Sequence, residues 1–143
     1  MKKFMNRFIK KNLVSVLAVF LAVGLAGCGD SSGDEGESTG EYKQITMDEA
    51  VIMMEKETDY IILDVRRPDE FAEKHIPNAI NVPNETIGED AIPELPDKDQ
   101  LLLVYCRSGN RSKQASKKLA AMGYTNVYEF GGINDWTGET VGE

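Results

Sequence analysis

The sequence predicts an α/β domain in which a mainly parallel central sheet carries helices on both faces. Two largely apolar runs, at residues 60–65 and 101–105, have the length and composition of buried strands. Amphipathic helical patterns separate these and other short strands along the chain. Strands that alternate with helices form βαβ units, which place neighbouring strands in parallel. The 143 residues leave room for one such domain.

The first half of the domain is predicted to hold three strands and two helices. Thr46 and Glu49 have the spacing of a capping box, which indicates the start of the first helix. Pro68 suits the first turn of the second helix, where no backbone donor is needed. In order, the predicted elements are a strand at 42–45, a helix within 46–57, a strand at 60–65, a helix within 67–74 and a strand at 80–82.

The second half begins with a polar, proline-containing connection at residues 84–100, which has room for one helical turn. The buried strand at 101–105 follows, and then a helical pattern from about Asn110 to Met122 that Gly123 ends as the residue after the C-cap. Residues 126–130 form the last predicted strand. The segment GGINDW after it predicts a turn and a short helix.

The N-terminus resembles an export signal. Its first 12 residues hold five Lys or Arg and no acid, and a largely apolar run of 13 residues follows. Such a run is too short for a spanning helix, which needs about 20 residues. The next segment, LAGC, ends at Cys28 and resembles the bacterial lipobox. We therefore expect residues 1–27 to be a lipoprotein signal peptide. Cys28 is expected to carry the lipid that anchors an extracytoplasmic protein to a bacterial cell membrane. The alternatives are an uncleaved anchor and an ordinary signal peptide with a chance cysteine.

Residues 28–41 are predicted to form a tether between this anchor and a domain at residues 42–143. The tether is rich in Gly, Ser and acidic residues and contains no apolar residue after Cys28, so it cannot build a core. The domain itself holds 11 basic and 19 acidic residues, a net charge of −8. This balance argues against nucleic acid as a partner.

Cysteine usage directs attention to Cys106. The chain has two cysteines, and a lipidated Cys28 is unable to form a disulfide. Cys106 is then a free thiol in an exported protein, and it serves either as packing or as chemistry.

The segment CRSGNRS gives Cys106 the surroundings of a reactive thiol. Cys106 follows the buried strand, and ligands of parallel sheets bind at the carboxyl ends of strands. The loop must turn into a helix, so its backbone N–H groups and the helix N-terminus favour an anion there. Gly109 allows the turn, and Arg107 and Arg111 add two cations. Together these features predict a thiolate nucleophile.

Four segments in order, DVRRPDEF, HIPNAINVP, CRSGNRS and GGINDW, resemble the rhodanese family of thiosulfate sulfurtransferase-like domains. The resemblance covers nearly all of residues 42–137 and implies a three-layer α/β domain. It implies that Cys106 takes a sulfane sulfur from a small anionic donor as a persulfide and passes it to a thiol or cyanide acceptor. The loop residues that would cradle this sulfur are Arg107, Ser108, Gly109, Asn110, Arg111 and Ser112.

Two alternatives remain open. Cysteine phosphatases and arsenate reductases resemble the longer pattern C-x5-R, whereas Cys106 to Arg111 is C-x4-R, which favours sulfur transfer. A module that binds a partner or carries sulfur without turnover is the second alternative. No metal or cofactor is expected, because one available Cys and one His cannot supply a closed metal site.

By the same resemblance, Asp64 and Arg66 support the active-site side of the domain. Asp64 is expected to be structural, and Arg66 is expected to be either its partner or a cation on the substrate side. His75, the one histidine, is assigned to a structural turn. Lys74 and Asn78 stand where the family often has glycine; Asn tolerates left-handed geometry, whereas Lys74 is expected to alter the turn.

Overall fold

A computed structural model of the chain describes residues 40–88 and 90–143. The signal peptide, Cys28 and most of the tether lie outside the described residues. The elements, in chain order, are β1 (Lys43–Gln44), α1 (Met47–Lys56), β2 (Tyr60–Asp64), α2 (Pro68–Glu73), β3 (Ile80–Asn81), a 3-10 turn (Asn84–Thr86), β4 (Leu101–Cys106), α3 (Asn110–Ala121), β5 (Val127–Gly132) and a second 3-10 turn (Ile133–Asp135). Among these elements no helix is long and apolar enough to cross a membrane.

The strands form one sheet in the order β1-β5-β4-β2-β3, and every pairing between them is parallel. The longest apolar run of the domain, β4, is therefore the central strand. This agrees with the rule that strands buried on both faces are continuously hydrophobic. The predicted α/β class is confirmed.

Alternate residues of β4 enter two separate cores, one on each face of the sheet. Leu102, Val104 and Cys106 pack on one face with Ala115 and Leu119 of α3. On the other face, Leu103 and Tyr105 pack with Ala50 of α1 and with Phe71 of α2. The helices thus cover both faces, which gives the three-layer arrangement that the resemblance implied.

Local signals in the sequence set the helix boundaries. The Thr46 hydroxyl accepts the Glu49 amide at 3.2 Å, and Glu49 Oε2 accepts the Thr46 amide at 2.7 Å, so the predicted capping box is confirmed. Pro68 occupies the first turn of α2. Gly123 has φ of +91° directly after the C-cap of α3, as predicted.

Ser116 of α3 is fully buried, and its hydroxyl has no hydrogen-bond partner among the described residues. An unpaired buried hydroxyl costs free energy, and alanine is the better helix former. We therefore expect Ser116→Ala to raise the free energy of unfolding by about 1 kcal/mol in urea titrations. Ser112→Ala, one turn earlier, removes a hydroxyl with partners and is the matched control, which should be destabilised. A destabilised Ser116→Ala variant contradicts this reading.

Candidate active site

Cys106 is the last residue of the central strand, and its side chain is 1% exposed. It lies at the carboxyl end of β4, between the ends of β2 and β5. The sequence predicted this position from the buried run that precedes the cysteine. The thiol is thus held in packed surroundings, where nearby dipoles act on it strongly.

The loop after Cys106 folds back over the thiol. Gly109 has φ of +99°, a conformation that other residues resist, and its amide lies 3.1 Å from Cys106 Sγ. Arg107 and Ser108 cross the end of β5 so closely that a Cβ on Gly132 would clash with the Arg107 carbonyl oxygen. The two glycines therefore let the loop place backbone N–H groups around the sulfur.

Opposing effects set the pKa of the Cys106 thiol. Burial raises this pKa, because it disfavours the charged thiolate. Hydrogen bonds from the Ser112 side chain and from the amides of Ser112, Ser108 and Gly109 lower it, and they outweigh burial. The net shift is downward from the usual value. The arrangement favours a thiolate nucleophile, as the sequence predicted.

The structure shows where the two predicted cations lie. Arg111 pairs with Glu70 of α2 through two hydrogen bonds, of 2.6 Å and 2.9 Å. The Glu70 hydrogen bonds are the main cause of the raised pKa of Arg111, and the Cys106 charge adds a smaller upward contribution. Arg111 therefore pairs first with Glu70 and also favours the thiolate. Arg107 is exposed, and its side chain forms no hydrogen bond or ion pair with a described residue. The Gly109 backbone amide lies at hydrogen-bonding distance from the sulfur, at 3.1 Å.

The Glu70–Arg111 pair joins α2 to the first turn of α3, and the sequence analysis missed it. The hydrogen bonds from Arg111, opposed by burial, lower the pKa of Glu70 from 4.5 to about 2. A depressed carboxyl pKa stabilises the folded state above the unfolded value, and this stability is lost as the pH falls through the folded value. The pair therefore contributes fully above about pH 4.5 and is lost toward pH 2.

We expect Glu70→Gln to lower the free energy of unfolding at pH 7 and to flatten its dependence on pH between about 4.5 and 2. Urea titrations across this range measure both effects. In an Arg111→Met background, the same Glu70→Gln substitution should change the slope little. An equal change of slope in both backgrounds would show that Arg111 does not set the Glu70 pKa.

Asp64 and Arg66 form a buried ion pair. Arg66 Nε lies 3.0 Å from both carboxylate oxygens, and Nη2 lies 2.6 Å from Oδ2. Nη2 also donates to the Lys74 carbonyl oxygen at 2.6 Å. Burial lowers the pKa of Arg66, but the Asp64 contacts outweigh it and leave that pKa raised. The structure thus shows Arg66 as the partner of Asp64, one of the two expected roles.

Tyr105 completes this cluster on the face of the sheet opposite Cys106. Its hydroxyl accepts the Ile76 amide at 3.1 Å, and the Arg66 guanidinium lies 5.8 Å from its ring centre. Burial, and then the Asp64 charge, raise the pKa of Tyr105. Asp64 and Arg66 therefore support the ends of β2 and β4 rather than the thiol itself.

The turn after α2 contains His75, Lys74 and Asn78, for each of which the sequence predicted a role in the turn. His75 Nδ1 lies 2.8 Å from the Phe71 carbonyl oxygen, and its ring stacks on Phe71 at 3.8 Å, which fits the structural role. Asn78 has φ of +64°, as expected for a position that favours glycine. Lys74 has φ of −164°, an extended backbone that any residue adopts, so the expected disturbance of the turn is not found.

A cleft of about 320 Å³ borders the loop at Arg107. Two of its charged groups, Arg66 and Glu70, are committed to the internal pairs described above. Three other charged side chains line the cleft and form no ion pair with a described residue. They are two cations, Arg107 and Lys74, and one acid, Glu73. The cleft therefore favours a small anion. No group of three or more His, Cys, Asp or Glu that would hold a metal ion occurs among residues 40–88 and 90–143.

The central strand of this parallel α/β domain ends in a cysteine, and an amide-lined loop of the form C-x4-R covers the thiol. These features define a class of α/β proteins with a cysteine at the end of the central strand. Residues 46–139 of the chain match the rhodanese-like domain family. The chain belongs to the rhodanese family, which the sequence motifs had implied.

Two relatives and one solved structure are similar to this chain over most of its domain. The thiosulfate sulfurtransferase PspE of Escherichia coli (strain K12) is 40% identical over 73 residues, which are 51% of this chain and 70% of that protein. The thiosulfate sulfurtransferase GlpE of Coxiella burnetii (strain RSA 331 / Henzerling II) is 36% identical over 96 residues, 66% of this chain and 87% of that protein. The structure described as rhodanese with anions from E. coli is 36% identical, has a TM-score of 0.54 and covers 59% of this chain and 99% of its own.

Proposed function

We propose that the protein transfers sulfane sulfur from a small anionic donor such as thiosulfate to a thiol or cyanide acceptor through a persulfide on Cys106. The observation that carries this proposal is the Cys106 thiol, which is covered by loop amides and has a lowered pKa. The names of the relatives PspE and GlpE support the donor class.

The chemistry needs two displacements at sulfur. The Cys106 thiolate attacks the sulfane sulfur of thiosulfate, the S–S bond of the donor breaks, and sulfite leaves with the electron pair. The acceptor thiolate or cyanide then attacks the outer sulfur of the persulfide, and Cys106 leaves as a thiolate. The loop amides stabilise the anionic sulfur in both steps, since they are already aimed at it. No metal or cofactor is needed.

The size of the loop supports sulfur transfer over phosphate chemistry. Only four residues separate Cys106 from Arg111, and Arg111 is held by Glu70. In this arrangement the Arg111 guanidinium does not face an open phosphate-sized ring. Arg107 and Lys74 in the neighbouring cleft supply charge for a small dianion such as thiosulfate.

A panel of donors and acceptors tests the proposal. We expect thiosulfate with cyanide, or with small thiols, to give multiple turnovers, and p-nitrophenyl phosphate and arsenate to give none. Turnover of the phosphate ester or of arsenate, without sulfur transfer, would place the protein with the phosphatases or arsenate reductases. A persulfide that forms but reaches none of the acceptors would identify a sulfur carrier.

We also propose that Cys28 carries a lipid that holds the protein on the outer side of a bacterial cell membrane. The basic start, the apolar run and the lipobox support this proposal. Cys28→Ala should move the protein out of the salt-washed membrane fraction without changing the turnover of the domain. Retention of this variant in the membrane would favour an uncleaved anchor.

A further inference from the structure

Glu129 is a carboxylate in a core position of β5. Val127 and Glu129 point to the α3 face of the sheet, whereas Tyr128 and Phe130 pack on the opposite face. Glu129 is 3% exposed. Its partner in the register is Val104, two residues before Cys106 on the central strand. A buried acid next to the cysteine is costly unless it is well paired, so its contacts call for an explanation.

The Glu129 carboxylate is held by the segments that surround the thiol. Oε1 accepts the Ser112 hydroxyl at 2.6 Å and the Gly131 amide at 2.9 Å. The same oxygen would lie 3.8 Å from a Cβ placed on Gly109. Glu129 thus reaches the first turn of α3, the end of β5 and the underside of the Cys106 loop.

We propose that Glu129 is a positioning residue for Cys106: its carboxylate holds Ser112 in the first turn of α3, and so fixes the loop whose Gly109 amide lies at the sulfur. This inference rests on the proposed persulfide chemistry for its effect on rate. Its effect on the geometry of the loop does not depend on that chemistry.

The Ser112 hydroxyl has two nearby acceptors, and their distances and charges show which one receives its hydrogen. One hydroxyl donates one hydrogen, and Ser112 Oγ lies 2.6 Å from Glu129 Oε1 and 2.9 Å from the Gly109 carbonyl oxygen. The shorter contact is to the charged acceptor, which forms the stronger bond. Glu129 therefore holds the Ser112 side chain at the position from which this side chain and the loop amides favour a Cys106 thiolate. Without Glu129, the remaining contact of Ser112 Oγ with β5 is the longer one, of 3.3 Å, to the Gly131 carbonyl oxygen.

The charge of Glu129 and its hydrogen bonds act in opposite directions on the thiol. As an anion, Glu129 disfavours a nearby thiolate, whereas the amides that it positions favour one. The other charged groups around the loop are Arg107 on the loop itself, the Arg111–Glu70 pair, and Lys113 and Asp135, which line a cleft of about 380 Å³ beside Glu129. Because Glu129 borders this cleft, a glutamine amide at its position can be hydrated while its carbonyl oxygen still accepts from Ser112.

The test compares Glu129→Ala, Glu129→Gln, Ser112→Ala and the Glu129→Ala/Ser112→Ala double variant in the full chain. The exposed Glu55→Ala substitution on α1 is the matched control for loss of one acid. The first readout is the rate of alkylation of the peptide that contains Cys106 against pH, which needs no sulfur donor. The second is the rate of persulfide formation from thiosulfate in a single turnover.

We expect Glu129→Ala and Ser112→Ala each to raise the alkylation midpoint and to slow persulfide formation by about tenfold or more, since small misplacements at a reacting atom are costly. The double variant should be no slower than the slower single one, and Glu129→Gln should stay within about threefold of the parent. An unchanged midpoint in both single variants overturns the proposal, as does a Glu129→Gln variant that behaves like Glu129→Ala. If Glu129→Ala does not fold, Glu129→Asp takes its place, since its shorter side chain withdraws the carboxylate from Ser112, and a midpoint equal to that of the parent overturns the proposal.

The two proposals fail in distinguishable ways. A parent protein that forms no persulfide refutes the proposed sulfur transfer, while the alkylation midpoints still report whether Glu129 positions the loop. A fall in melting temperature without a change of midpoint would assign Glu129 a purely structural role and overturn the inference.

Discussion

Replacing Cys106 by serine is expected to reduce sulfur transfer by about a thousandfold or more, the scale seen when a catalytic nucleophile is removed. A serine hydroxyl does not ionise near neutral pH and cannot carry a persulfide, even though the loop amides stay in place. The fold should survive, because serine is close in size to cysteine and the Gly109 amide is available to its oxygen. Steady-state assays with thiosulfate and cyanide measure the loss.

Circular dichroism and urea titration of Cys106→Ser show whether the loss is chemical. A folded variant that keeps more than about a tenth of the parent rate would contradict covalent catalysis by Cys106. The sulfur would then pass directly from donor to acceptor in the cleft beside Arg107, with the protein acting only as a template.

The second large effect concerns stability and comes from Asp64. This carboxylate is 0% exposed and pairs with Arg66, whose side chain is 6% exposed. Asp64→Ala leaves a buried guanidinium without its counter-charge, so we expect the free energy of unfolding to fall by about 3–5 kcal/mol. Removing both charges, with Asp64→Ala and Arg66→Met, should cost less than Asp64→Ala alone, because no unpaired buried charge remains.

Arg67 and Asp69 form a solvent-exposed ion pair of the same residue types, which serves as the control for the buried pair. Their side chains are 64% and 61% exposed, and Asp69→Ala should leave the unfolding free energy nearly unchanged. If Asp64→Ala is as mild as Asp69→Ala, the buried pair does not support the sheet. If the double variant is the worst of the three, the penalty of an unpaired Arg66 is not the cause.

The order of elements followed from local patterns. The continuous apolar run of β4 predicted a strand buried on both faces, and Thr46, Pro68 and Gly123 marked helix ends by backbone geometry that depends on near neighbours. The position of Cys106 at the end of β4 followed from the same pattern. These signals act over a few residues, so the chain shows them without tertiary contacts.

The partners around the thiol were harder to predict. Glu70 and Arg111 are 41 residues apart, and Ser112 and Glu129 are 17 apart, so each pair depends on how α2, α3 and β5 pack. A signal for Glu129 did exist: in the strand NVYEF it occupies a position that faces the core, where an acid needs a partner. The residues next to Arg111 in the sequence do not show whether its guanidinium interacts with the thiol or pairs with an acid on α2.

The most direct test of sulfur transfer through Cys106 is the mass of the protein after brief exposure to thiosulfate and removal of excess donor. We expect a gain of one sulfur atom, located on the peptide that contains Cys106, absent in Cys106→Ser, and lost again when cyanide or a small thiol is added. An unchanged mass, or a sulfur that is retained at another residue, would contradict the persulfide account.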